Sequence, residues 1–298
     1  MLLESFEIDE MYLVRTSGTS DGTQDKFFKD DMWFKLDRYG GEGIAETVAS
    51  IILKQSGLDS DEFVEYHPCL INGKQGCYSK NFLSKNDSFI TLYRLYKNVT
   101  GKDLAAVTAR MDFDDAIEYV LNFVKTQTNL DLHKYIANNL ALDRIILNDD
   151  RHFNNLGVLF NDSEFLPAPI FDNGKSFLIG NKNATNKTKL EEKIACSYSK
   201  CFNPSYEINL KYLKSWVTLQ VPKNIISLVE KYATKEMIEI LKITLQNQSS
   251  IENIDYSKKS CLNMMVKQLQ FNEKVKISCT ECTLLHKKTR PKEERVFF

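Results

Sequence analysis

The hydrophobic pattern of this chain changes period once, near Lys97, and that change restricts the fold more than any other feature of the sequence. Before it, short apolar runs are punctuated by Gly, Asn and Asp, the pattern of strands and turns. After it, apolar residues recur every three or four positions, the pattern of helices. The first part predicts strands at 11–14, 32–36 after an Asp30-Asp31 turn, 63–67, a hairpin around Asn72-Gly73 between Leu70-Ile71 and Cys77-Tyr78, and a last strand at 89–96. One helix interrupts them at 42–55, where Ile44, Val48, Ile51 and Ile52 form a stripe and Gly57 is placed to end it. The second part predicts helices over 113–126, 131–147, 208–219, 222–232 and 235–246, with a hairpin of two short buried strands, 156–160 and 168–171, between the second and third. The expected class is α+β with two lobes, a small β-rich one over 1–97 and a larger, mostly helical one over 98–298. At 298 residues, 43% of them hydrophobic, the chain can bury one large or two moderate cores.

Chemistry enters at the end of the helix predicted over 131–147. Residues 148–155 read N-D-D-R-H-F-N-N, and F-D-N-G follows at 171–174. Asp150, Asn155 and Asp172 are thus presented in order by a polar loop and the return of a hairpin. Two hard oxygen ligands, Asn155 and Asp172, suit a magnesium ion that keeps several water and phosphate oxygens around it. A carboxylate such as Asp150, free to take or orient a hydroxyl proton, completes the set that phosphoryl transfer needs. The loop read alone is also an ordinary solvated helix-to-strand connection, since Asn and Asp favour turns for local reasons. His152 is able to orient the loop or a phosphate, or to be a satisfied structural residue.

The N-terminal region supplies a possible second half. Residues 16–26, T-S-G-T-S-D-G-T-Q-D-K, are small and polar, and Gly18 and Gly22 allow backbone amides to come close to phosphate. Lys35 follows on the strand predicted at 32–36, and Glu46 borders the apolar stripe of the next helix. A strand lysine held by a helix glutamate positions the α and β phosphates in kinases.

These residues together resemble the HipA-like serine/threonine kinases, especially their compact CtkA-type members. The matching segments are G-T-Q-D-K (Gly22, Thr23, Gln24, Lys26), W-F-K-L-D around Lys35, E-G-I-A-E with Glu46, N-D-D-R-H-F-N-N, and A-P-I-F-D ending at Asp172. The resemblance implies a kinase-like fold, ATP and magnesium (Mg2+) as cofactors, and a protein substrate bearing Ser or Thr. It implies Asp150 as the catalytic aspartate with His152 beside it, and Asn155 and Asp172 as metal ligands. It implies a cofactor site at Gly18, Gly22, Thr23, Gln24, Lys26, Lys35 and Glu46, to which we add Leu92 and Leu95 of the last predicted strand. Members of the family autophosphorylate a serine in the phosphate loop; here Thr19 stands nearest that position with Ser20 beside it.

Other readings are narrower. Lys and Arg (39) balance Asp and Glu (40), which gives no net field for nucleic acid or anionic lipid. No apolar run is long enough to span a bilayer, and the acidic residues 1–9 lack an export pattern, so a cytoplasmic location is expected. The seven scattered cysteines suit buried thiols, although Cys279-x-x-Cys282 with His286 resembles part of a zinc site. A metallophosphoesterase would start with Asp150-x-His152 but needs more ligands than four histidines and the surrounding pattern supply. A kinase of a small molecule or lipid, and a nucleotide-binding module without catalysis, remain open alternatives.

Overall fold

The structure is a computed structural model that describes residues 3–14, 24–161, 163–180, 190, 199–202 and 212–252. Two compact units divide the chain, Met1–Asn247 and Gln248–Phe298, and the second is described only through Glu252. The first combines a β-sheet N-terminal region with a helical C-terminal region.

Five strands form the first sheet, β1 (Glu4–Phe6), β2 (Lys26–Lys29), β3 (Met32–Leu36), β4 (His67–Ile71) and β5 (Lys74–Lys80), in the order β1-β4-β5-β3-β2. All pairings are antiparallel except β1 on β4. Its hairpins close on Asp30-Asp31 (φ 52° and 60°) and Asn72-Gly73 (φ 49° and 75°). Positive φ at both central positions is the mirror-image turn whose twist matches the strands it joins. The Asn72 side chain also clamps Ile8, accepting from its N–H at 2.7 Å and donating to its carbonyl at 2.9 Å.

Strand alternation decides what each face of β3 carries. Met32, Phe34 and Leu36 pack with Phe27 and Ile71 in a small apolar cluster. Lys35 therefore faces the other way, toward α1 (Glu42–Gln55), which lies on β4 and β5. The approach is close because a Cβ on Gly43 would meet the Gly76 carbonyl carbon and oxygen at 2.6 Å. Asp37 caps this helix from outside, accepting from Gly41 N–H at 2.6 Å and Gly43 N–H at 2.7 Å. On its far side, Val48, Ala49, Ile52 and Leu53 enter the main core, which they share with residues of the C-terminal helices such as Ile117, Ile136 and Leu140.

The helical region comprises α2 (Leu92–Thr100), α3 (Leu104–Thr108), α4 (Phe113–Thr128), α5 (His133–Ile146), α6 (Ile225–Val229) and α7 (Lys235–Glu252) among the described residues. Between α5 and α6, β7 (Gly157–Phe160) and β8 (Phe165–Pro167) join β6 (Ser88–Thr91) in a three-stranded antiparallel sheet, β6-β7-β8.

Several sequence expectations are corrected. Residues 11–14 are not a strand: Glu10–Tyr12 form a 3-10 turn capped by Asp9, and only Leu13 bridges to Phe27. In the expected strand 63–67, Phe63 makes an isolated bridge to Ile170 and β4 starts at His67. The expected strand 89–96 is β6 followed directly by α2, and β6 belongs to the second sheet. The Thr91 hydroxyl accepts from Arg94 N–H at 3.1 Å, and Leu92, Leu95 and Tyr96 then bury at helical spacing. In the hairpin the second strand is Phe165–Pro167 rather than 168–171, and Ile170 instead bridges to Phe63. The helix expected at 208–219 falls partly outside the described residues, and its described end is a 3-10 turn, Lys214–Trp216. The helix expected at 222–232 is shorter, Ile225–Val229, and the last extends to Glu252. Residues 181–189 and the Cys279, Cys282 and His286 group lie outside the described residues.

The contact of Gly43 with Gly76 yields a test of sign. Helix propensity alone would favour Gly43→Ala by about 1 kcal/mol. Because the new methyl meets backbone that has no room to yield, we expect a net loss of about 1–3 kcal/mol, read as a lower urea midpoint with an unchanged slope.

Candidate active site

Lys35 is 7% exposed, and its ammonium has three oxygen partners. It donates to Glu46 Oε1 at 2.7 Å, to Asp172 Oδ1 at 3.1 Å and to the Tyr66 hydroxyl at 3.1 Å. All three donors of the ammonium are therefore used. Burial alone would lower the Lys35 pKa, but Asp172 and then Glu46 outweigh it and hold it well above the usual lysine value. The other Glu46 oxygen, Oε2, accepts from Asn173 N–H at 2.8 Å. One buried carboxylate on α1 thus fixes both the strand lysine and the backbone next to Asp172.

Asp172 has a left-handed backbone, φ 61°, which is uncommon for any residue but Gly and is tolerated by Asp and Asn. Burial would raise its carboxyl pKa; the Lys35 ammonium, helped by Lys26 and Arg151, reverses this and holds it far below the ordinary carboxylate range. Asp172 is ionised at neutral pH and remains about one quarter exposed, with a side-chain accessibility of 25%.

A second buried cation organises the loop at 148–155. Arg151 is wholly buried, and its guanidinium meets both oxygens of Asp143 on α5, with Nε at 3.2 and 3.0 Å and Nη2 at 2.9 Å. Nη2 also donates to Asn173 Oδ1 at 2.6 Å. Nη1 donates to the Phe171 carbonyl at 2.7 Å and the Asn155 carbonyl at 3.4 Å. Asn148 Nδ2 donates to Asp143 Oδ1 at 3.1 Å, and Asn148 Oδ1 accepts from Asp150 N–H at 3.1 Å. The ends of the loop and the F-D-N segment are thereby tied to one helix.

Within that frame Asp150 is partly exposed, and the Lys200 ammonium pairs with its Oδ1. Asn155 is buried, its Nδ2 donating to the Asp150 carbonyl at 3.4 Å. Its Oδ1 is buried without a hydrogen-bond partner among the described residues, as is Nδ1 of His152. An orphaned amide oxygen and an ionised carboxylate are the hard ligands a magnesium ion accepts, so Asn155 and Asp172 fit that metal. No cluster of three or more His, Cys, Asp or Glu side chains able to hold a metal occurs among the described residues.

The structure brings Lys35, Glu46 and Asp172 into direct contact, with Asn155 joined to the Asp172 segment through Arg151. Gln24 precedes β2 by two residues, and Lys26 opens β2 opposite Lys35 in register. Gly18, Thr19, Ser20, Gly22 and Thr23 lie outside the described residues. Leu92 and Leu95 are buried on α2 in the main apolar core. Sequence reasoning missed Tyr66, Asn173, Lys200 and above all Asp143 and Arg151. A signal for Asp143 existed: it follows Ile136 and Leu140 on the apolar side of its helix, where a charge requires a partner.

Two outcomes test these contacts. Removing one member of the buried pair in Arg151→Met strands the Asp143 charge, and we expect a loss of about 3–5 kcal/mol in urea unfolding. For Asp172 the folded pKa lies below the unfolded value of about 3.9, so its contribution is complete above that pH and is lost as pH falls. Asp172→Asn keeps a residue that tolerates positive φ, and its stability deficit relative to wild type is expected to be larger at pH 7 than at about pH 3.

No protein-family model and no curated protein sequence matches the chain. Among solved structures, it is similar to the crystal structure of the Helicobacter pylori proinflammatory kinase CtkA, with a TM-score of 0.57, 19% identity, and coverage of 79% of this chain and 90% of that one. A HipA chain from the Shewanella oneidensis MR-1 toxin–antitoxin complex with HipB and operator DNA aligns at 11% identity and a TM-score of 0.32, over 88% of this chain and 65% of that one. The chain has the α+β fold of the CtkA kinase.

Proposed function

We propose that this chain is a serine/threonine protein kinase that uses ATP and magnesium. The observation that carries the reading is the contact of the Lys35 ammonium with both Glu46 and Asp172, 2.7 and 3.1 Å away. It joins a strand, a helix and the hairpin return into one charged site, to which Arg151 ties the segment that carries Asn155.

In this reading Lys35, kept in place by Glu46, exchanges its contacts with Asp172 and the Tyr66 hydroxyl for the α and β phosphates of the nucleotide. Asn155 and Asp172 hold magnesium, which when bound neutralises charge on the phosphate oxygens. Asp150 orients the acceptor hydroxyl and takes its proton as the oxygen bonds to the γ-phosphorus. The bond to the β–γ bridging oxygen breaks, and its electron pair leaves with ADP. Residues 1–97 carry the phosphate side of this site and residues 98–298 the acceptor and metal side. Gly18, Gly22 and Thr23, which lie outside the described residues, are the phosphate-contact candidates that the sequence offers. Thr19 or Ser20 is then an acceptor within the same chain, and a phosphate there disfavours ATP by like-charge repulsion.

Incubation with labelled ATP and magnesium, followed by intact mass and location of the label, tests the proposal. We expect a mass increase of one phosphate within the loop at 16–26. Asp150→Asn is expected to bind Mg-ATP as wild type does while losing roughly a hundredfold or more in transfer. Asp172→Asn is expected to weaken metal-dependent nucleotide binding. Equal transfer by wild type and Asp150→Asn overturns the role of Asp150, and nucleotide binding without any transfer favours a binding module.

A further inference from the structure

Lys200 has no part in the mechanism above, yet its ammonium pairs with Oδ1 of Asp150. The segment that carries it is docked on the loop it faces. Cys201 N–H donates to the Arg151 carbonyl at 3.0 Å, and the Ser199 hydroxyl reaches the same oxygen at 3.3 Å. Phe202 is buried and meets the Phe153 ring edge-on, with centroids 5.4 Å apart. Ser199, Cys201 and Phe202 are buried, whereas the Lys200 side chain is 54% exposed. Backbone and aromatic contacts to the residues following Asp150 therefore set where the ammonium stands.

An exposed ion pair of this kind adds little to stability. The docking nevertheless spends a backbone hydrogen bond and a buried aromatic to place one cation beside one carboxylate. Lys200 brings its positive charge to Asp150 from 50 residues downstream.

We infer that Lys200 is a positioning residue for phosphoryl transfer, holding one oxygen of Asp150 so that the other faces the acceptor hydroxyl. This inference rests on the kinase reading. In the step the hydroxyl proton passes to Asp150, the acceptor oxygen bonds to phosphorus, and the bridging-oxygen electron pair leaves on ADP. Lys200 neither gains nor loses a proton. Its charge stands where negative charge gathers as the acceptor is deprotonated.

The test compares wild type, Lys200→Met and Lys200→Arg in transfer of labelled phosphate from Mg-ATP to the chain itself and to casein. ATP is varied to separate kcat from KM, binding of a fluorescent ATP analogue is measured alongside, and the thermal midpoint is recorded. Lys200→Met is expected to lower kcat roughly tenfold or more with KM for ATP, analogue affinity and midpoint unchanged, which marks an interaction realised only in transfer. Lys200→Arg is expected to restore most of the rate. An unchanged or faster Lys200→Met, or a loss that Arg does not restore, overturns the inference while the kinase reading stands. A wild type that labels neither acceptor overturns both.

Discussion

The buried pair of Arg151 and Asp143 is the interaction on which the rest of the site depends. Taking two charges out of water is costly, and the attraction between them offsets this only when the remaining donors are also used. Here they are: the guanidinium that grips Asp143 also donates to the Phe171 and Asn155 carbonyls and to Asn173 Oδ1. Those acceptors belong to irregular backbone, which has no ladder or helix of its own to satisfy it. An apolar side chain of the same volume would fill the space and leave them unpaired. Burial pushes the Asp143 carboxyl up, and Arg151 offsets only part of that rise, so the group stays above the ordinary carboxylate value.

Arg151 and Lys35 act on the same three residues from opposite sides. Arg151 takes the carbonyl of Phe171 and the side chain of Asn173, while Lys35 takes Asp172 and its partner Glu46 takes Asn173 N–H. A backbone at φ 61° persists because each neighbour of Asp172 is fixed. The lysine reaches this point because α1 lies directly against the Gly76 carbonyl, an approach that Gly43 permits by having no Cβ. Packing geometry at Gly43 thereby controls an electrostatic contact one helical turn away at Glu46.

Much of the fold was legible in the sequence where one signal acted without competition. The α1 helix and the Asp30-Asp31 and Asn72-Gly73 turns follow from apolar spacing and from residues that tolerate positive φ. Errors came where a local signal had two readings. The run 89–96 is rich in β-branched and aromatic residues, yet Thr91 caps a helix in its middle. Lys35, Glu46, Asn155 and Asp172 are legible as candidates because phosphoryl-transfer chemistry asks for their types in that order. Arg151 lay inside the same motif and was passed over, since a charged side chain in a polar loop ordinarily faces water.

By itself the sequence determined the α+β class, the switch from a strand-rich to a helical region, helices such as α1, α4 and α5, and which side chains have the chemistry for a phosphate and metal site. These are consequences of periodicity, turn preference and functional groups, all of which are local. Only the tertiary structure decided that Lys35 meets Asp172, 137 residues away, that Arg151 is buried, and that Lys200 faces Asp150. Each of those depends on how closely separate elements approach and on which buried charge finds which partner. Desolvation makes such choices nearly all-or-none, and no spacing within one segment encodes them.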